Sequence, residues 1–309
     1  MKNKPSSKWI EIAAADLPAK EVARDALRAR LEHVVLLLPA AADQASHEDE
    51  PIHLLRVACR RGAAALSSFR PLIRSKRKSL EKWLRRIRRS AGPARDADVL
   101  RMRLEEMEAY DSAVGSLLAR LKKQRKTAQR AVVKMDKKVQ SGKFALRMKQ
   151  CLDAFGEPAE MSAGPQIGQF AQAALSESAE AFFQIAKLRQ DDLQHLHQLR
   201  IAGKTLRYGI ELYHAVFPPA LRGEVYPQIE EIQERLGGLN DHVTAEAQFQ
   251  QWLDVASEDD LVDFVIEQIG DQRQAASACR EAFFAWLSDA RLANLEAQMQ
   301  ALIRTVGQS

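Results

Sequence analysis

Apolar positions recur at intervals of three and four residues along almost the whole chain, and no stretch alternates apolar and polar side chains as a half-buried strand does. The pattern predicts an all-α protein. Helices are expected over about 20–38, 52–70, 79–91, 95–109, 112–150, 166–190, 192–216, 220–236 and 239–255, followed by two C-terminal helices reaching about 306. Breaks set the organisation: Pro71 ends the second helix, Gly92-Pro93 the third, and Gly237-Gly238 falls between two of the later ones. Residues 39–51 (PAAADQASHEDEP) read as an acidic linker, and 153–168 (DAFGEPAEMSAGPQIG) as the connection between two halves. The expected division is an N-terminal tail over 1–19, a first helical half over 20–152, a linker over 153–168 and a second helical half over 169–309.

Two spaced motifs recur at nearly one offset. HLLRVACRR from His53 to Arg61 matches HQLRIAGKT from His197 to Thr205, 144 residues on. GPARDADV from Gly92 matches GGLNDHV from Gly237, placing Asp96 opposite Asp241 at an offset of 145. An internal duplication is the expectation. At about 100° per residue, His53, Arg56 and Arg60 share one stripe of a helix, while Leu55, Cys59, Leu66 and Phe69 point the other way. In the second copy His197, Arg200, Lys204 and Arg207 form the same stripe. The third helix repeats the design, with Lys82, Arg85, Arg86 and Arg89 at i, i+3, i+4 and i+7 against Leu80, Trp83, Leu84, Ile87 and Ala91. Further on, Lys122, Lys123, Lys126, Arg130, Lys134 and Lys137 lie along one broad face.

Charge gives these stripes a direction. The chain of 309 residues carries a net charge of only +5. Residues 51–150, however, hold 28 Lys and Arg against 8 Asp and Glu, while residues 151–309 hold 11 against 24. A region at +20 attracts phosphate-rich polyanions, because closely spaced cations displace the polymer's counterions. Like charges one helical turn apart also repel one another, so such a stripe opposes folding unless anions offset it. Arg adds a planar fork that grips phosphate oxygens in pairs, and a histidine donates a hydrogen bond or gains charge near pH 6.

Other chemistry is thinly represented. The three cysteines, Cys59, Cys151 and Cys279, have neither disulfide nor zinc-knuckle spacing. No phosphate-cradling glycine loop, H-E-x-x-H helix or nucleophile motif appears, so no catalytic residue, metal ligand or cofactor is expected. Asp96 and Asp241 are expected to cap helices or anchor an Arg. The N-terminus lacks the apolar core of a signal peptide, and the longest apolar run, Val34 to Leu38, cannot span a bilayer, which points to a soluble cytoplasmic protein without membrane contact.

HLLRVACRR with Leu66 and Phe69, KWLRRIRRSAGPARDADV from Lys82, HQLRIAGKTLRYGIEL from His197 and IQERLGGLND from Ile232, in this order, resemble the blocks of the CHAD domains, named for conserved histidines in an α-helical domain. The resemblance runs over about 20–306. It implies two four-helix-bundle-like halves related by a pseudo-two-fold axis, whose basic helices face a central groove or pore that binds inorganic polyphosphate. It also implies no chemistry of the domain's own, and an association of stand-alone members with bacterial polyphosphate granules. Carried over residue by residue, the site comprises His53, Arg56, Arg60, Arg61, Lys82, Arg85, Arg86, Arg89, His197, Arg200, Lys204 and Arg207, to which the charge pattern adds Lys122, Lys126 and Arg130. Ala63 and Thr205 stand where the family often places a further Arg, and Gly62 and Gly203 are expected to interrupt their helices. The alternative readings are a nucleic-acid binder, an enzyme acting on phosphate polymers, and a protein that docks a partner on its acidic half.

Overall fold

The computed structural model describes residues 8–43, 50–106, 112–162, 164–189, 192–254 and 259–306. Among them the fold is all-α: α1 (Ala19–Ala42), α2 (Glu50–Ser68), α3 (Arg77–Ser90), α4 (Gly92–Glu105), α5 (Ser112–Gln140), α6 (Lys143–Asp153), α7 (Pro158–Met161), α8 (Ile167–Leu188), α9 (Leu193–Tyr213), α10 (Tyr226–Leu253), α11 (Asp259–Trp286) and α12 (Asp289–Arg304). Parts of the expected tail, of the acidic linker and of the helix ends near 109 and 255 lie outside the described residues. The chain divides into two compact units, Met1–Phe170 with Glu211–Val216, and Ala171–Ile210 with Phe217–Ser309.

In the first unit, Leu27, Leu31, Val34 and Leu38 of α1 form a fully buried stripe at helical spacing. Leu55 and Leu66 of α2, Leu80, Leu84 and Ile87 of α3, Leu104 of α4 and Leu117 and Leu121 of α5 complete the core. Burying one such side chain contributes about 1.5–3 kcal/mol, and this holds together helices whose outer faces repel one another. A polar strut adds direction. Arg125 of α5 donates to the buried Asp98 of α4 at 2.6 Å and to Gln129 at 2.5 Å, and the Gln129 amide donates to the carbonyl of Ala41 at the end of α1. This strut fixes the rotation of α5, so that Lys122, Lys126 and Arg130 face outward.

In the second unit, Phe182 and Phe183 of α8, Leu199 and Leu206 of α9, Ile229, Ile232 and Phe249 of α10, Phe283 of α11 and Leu295 and Met299 of α12 form the core. Lys187 pairs with Glu296, and Gln172 donates to the carbonyl of Ile303, tying α8 to α12. Ser288 caps α12 by accepting from the Arg291 amide.

Several boundaries differ from the sequence expectation. The helix expected over 112–150 breaks at Gly142, whose φ of +82° is a left-handed conformation that glycine adopts without steric cost. A second helix then starts and seats Phe144 edge-to-face on Trp83. α1 continues through Pro39 to Ala42, since the proline forfeits one backbone bond in the last turn while Ala41 remains buried. Gly237-Gly238 does not split a helix: α10 runs unbroken from Tyr226 to Leu253, with Leu236 and Leu239 buried on either side. Two glycines cost about 2 kcal/mol in a helix, which packing along α11 offsets. At the matching place in the first unit, Pro93 cannot donate, so a new helix begins there. Gly62 and Gly203 interrupt nothing either. Each sits inside a continuous helix where a Cβ would meet Leu84 at 3.2 Å or the Gln233 amide at 2.1 Å, so both mark close helix contacts.

Candidate functional site

α2 presents the first copy of the histidine motif beside the junction of α3 and α4. Its inner face is held by the buried Ile52, Leu55, Ala58 and Cys59, which leaves His53, Arg56 and Arg60 on the partly exposed side. The Arg56 guanidinium reaches the C-terminal end of α3, donating to the Arg88 carbonyl at 3.4 Å. It lies over Gly92, where a Cβ would stand 3.1 Å from its Nη1. The glycine in the recurring GPARDADV block thus makes room for an arginine.

This close approach concentrates positive charge. Desolvation and then the neighbouring Arg60, Arg88 and Arg95 depress the Arg56 pKa from its usual value, with Asp96 acting in the opposite sense. His53 is likewise pushed below the ordinary imidazole range, first by burial and then by Arg95, Arg60 and Arg56, with Glu50 opposing. Five basic groups from α2, α3 and α4, His53, Arg56, Arg60, Arg88 and Arg95, therefore share one place beside the carboxylate of Asp96, where an added anion finds partly desolvated donors. Two of them, Arg88 and Arg95, were not among the residues expected from the sequence. Arg88 falls about 120° away from the Lys82 to Arg89 stripe on α3, on the side turned to α2. Arg95 immediately precedes Asp96 in the GPARDADV block, and only the packing of α4 beside α2 brings it to Arg56. Neither Asp96 nor Asp241 caps a helix: both lie within helices, Asp96 beside Arg56 and Arg95.

Lys82, Arg85, Arg86 and Arg89 are all exposed, and among the described residues none of them takes part in an ion pair. The buried Leu80, Trp83, Leu84 and Ile87 hold the opposite face of α3. Lys122, Lys126 and Arg130 are exposed on α5, also without ion pairs among the described residues. Arg61 is placed differently. Its Nε and Nη2 donate to the two carboxylate oxygens of the fully buried Glu211 at 2.7 and 3.3 Å, so the side chain is held within the first unit.

The second unit carries the other motif on α9. His197 is exposed, Arg200 and Lys204 are partly so, and Arg207 stacks on Tyr208 with 4.8 Å to the ring centre while donating to the Tyr226 hydroxyl at 3.2 Å. His197 and Arg200 border a small cavity between α9 and α10, otherwise lined largely by leucines and a valine. The surroundings thus differ from the first copy, where arginines from three helices converge. Among the described residues no group of three or more His, Cys, Asp or Glu is placed to hold a metal ion, and no helix is long and apolar enough to cross a membrane.

A family model described as the CHAD domain matches residues 25–250. Two solved structures share the fold. The crystal structure of the CHAD domain from the plant Ricinus communis is 22% identical, covering 97% of this chain and 96% of its own, with a TM-score of 0.69. PptA from Streptomyces chartreusis is 16% identical, covering 86% of this chain and 98% of its own, with a TM-score of 0.63. No curated protein sequence matches.

Proposed function

The chain belongs to the CHAD domain family, and from that premise we propose that it binds inorganic polyphosphate, without chemistry of its own, on the basic helices of its first unit. The observation that carries this reading is the convergence of Arg56, Arg60, Arg88 and Arg95 with His53, continued by the exposed stripe of Lys82, Arg85, Arg86 and Arg89. The family's link to polyphosphate supports the choice of polymer. The physical logic is counterion release: a flexible chain bearing about one charge per phosphate gives up its condensed cations to a row of guanidinium and ammonium groups. Partly desolvated arginines then add paired hydrogen bonds to phosphate oxygens. The cluster acts as a grip, and the α3 and α5 faces act as a track. His197, Arg200, Lys204 and Arg207 of the second unit are taken as further contacts to the polymer. In a cell the protein would sit in the cytoplasm on polyphosphate granules.

The test is fluorescence anisotropy with end-labelled long-chain polyphosphate, comparing the wild type with an Arg56→Ala, Arg60→Ala, Arg95→Ala variant. At about 0.15 M salt each lost phosphate contact should weaken binding about fourfold, from a salt slope near 0.7 per contact on a single-stranded polymer. The triple variant should therefore bind some 50-fold more weakly. Undiminished binding would overturn the assignment of the grip, and release of free phosphate by the wild type would overturn the non-catalytic reading.

A further inference from the structure

The arginine cluster of the first unit contains a carboxylate that closes on none of its cations. Gly92, Arg95 and Asp96 stand at i, i+3 and i+4 on α4 and share the face that the Arg56 guanidinium covers, while Ala94, Ala97 and Asp98 are buried on the opposite side. Asp96 is exposed, and among the described residues its side chain takes part in no hydrogen bond or ion pair. Arg56 and Arg95 act on it through their charge alone, and Arg56 gives its hydrogen bond to the Arg88 carbonyl instead. Glu50, at the start of α2, acts on His53 and serves as a comparison.

A phosphate polymer seated on Arg56, Arg60 and Arg95 therefore meets Asp96 as a like charge. Partial desolvation sharpens that repulsion, because less water stands between the charges to screen them. The same juxtaposition becomes favourable when a divalent cation lies between the two anions. Mg²⁺ fits the place: it takes oxygen ligands, keeps several of its waters, and is commonly held by one or two carboxylates together with phosphate oxygens rather than by a cage of protein groups. Without the polymer the ion would find one carboxylate amid arginines that repel it.

We propose that Asp96 and polyphosphate bound at this cluster hold a Mg²⁺ ion between them, with one ligand from the carboxylate, others from phosphate oxygens and the rest from water. The ion site presupposes the polymer on the cluster, as under the proposed function, and makes Asp96 the residue that selects polymer carrying magnesium. The coupling is reciprocal: the polymer creates the affinity for Mg²⁺, and Mg²⁺ raises the affinity for polymer where Asp96 is present.

The experiment is fluorescence anisotropy on the full chain with end-labelled long-chain polyphosphate, comparing the wild type, Asp96→Asn and Glu50→Gln. Binding is measured first in a chelator and then with Mg²⁺ in excess over phosphate, at one ionic strength held with sodium chloride. In the chelator Asp96→Asn should bind about fourfold more tightly than the wild type, because one repelling charge is gone. With Mg²⁺ the order should invert, the wild type binding about tenfold more tightly than Asp96→Asn, a coupling of the usual size for two ligands. Mg²⁺ spread along the polymer lowers its charge for every protein alike, so the order of the affinities is the readout. Glu50→Gln should bind at least as tightly as the wild type in both buffers. Asn fills the space of Asp at this exposed position, and circular dichroism melts check that both variants fold. An Asp96→Asn variant that remains as tight as the wild type or tighter in Mg²⁺, or an inversion shared by Glu50→Gln, would overturn the ion site and leave polymer binding standing. A wild type that binds no polymer in either buffer would overturn both.

Discussion

Replacing Arg85, Arg86 and Arg89 together by alanine should make the protein more stable while it loses ligand. All three side chains are exposed on α3 and have no ion pair among the described residues, so no native contact is lost. What disappears is repulsion: Lys82 with Arg86 and Arg85 with Arg89 are like-charged pairs one turn apart, each worth about 0.2–0.5 kcal/mol. Alanine is the best helix former, so propensity does not oppose the change. The gain is about 0.4–1 kcal/mol, or roughly 1–4 °C in Tm at about 2–4 °C per kcal/mol. It should fade at high salt, where screening has already removed the repulsion. Polyphosphate affinity should meanwhile fall about 50-fold at about 0.15 M salt, with the slope of log K against log salt shallower by about 2. Differential scanning calorimetry at low and high salt, paired with isothermal titration, reads both effects. A lower Tm at low salt would refute the reasoning, for it would mean that the stripe holds structural partners rather than a ligand. Unchanged affinity would refute the other half.

Other consequences follow from groups in the first unit. Arg61→Met should leave the Glu211 carboxylate buried without its partner and cost about 3–5 kcal/mol, seen as a lower midpoint of urea unfolding; an unchanged midpoint would deny the pair its structural role. Burial pushes the Cys59 thiol up to about 12 and Cys151 to about 11, so at pH 8 a thiol reagent should label native protein at Cys279 and reach the other two only after denaturation. His53 has a depressed folded pKa, so the unfolded chain binds the extra proton first and stability falls as pH drops from about 6.5 toward that lower value. Polyphosphate acts oppositely: its negative charge favours the imidazolium, so affinity should rise from pH 7.5 to 6 with uptake of a proton. A His53→Asn variant should flatten that rise, and an equal rise in the variant would remove His53 from the site.

The helical class and the cationic character of α2 and α3 could be read from spacing alone, because each depends on which residues share one face of a single helix. What eluded the sequence depends on neighbours. Arg88 lies off the Lys82 to Arg89 stripe by helical angle, and becomes part of the cluster only because α2 packs on that side. Arg61 and Glu211 are separated by 150 residues and meet only in the fold. Asp98, two positions from the aspartate singled out by the repeat, is the one buried against Arg125. Gly237-Gly238 carries a strong break signal locally, and packing along α11 overrides it. The apolar surroundings of His197 were hidden for the same reason, since Leu236, Leu239 and Val243 come from another helix.

The most direct test of the central claim is a competition titration at fixed salt, in which labelled long-chain polyphosphate bound to the wild-type protein is displaced by unlabelled polyphosphate, duplex DNA or single-stranded RNA at matched phosphate concentration. Sparse exposed aromatics leave bases little to stack on, whereas the arginine cluster answers to phosphate alone. Polyphosphate should displace the label at least tenfold more effectively than either nucleic acid. Equal or stronger displacement by DNA or RNA would contradict the account.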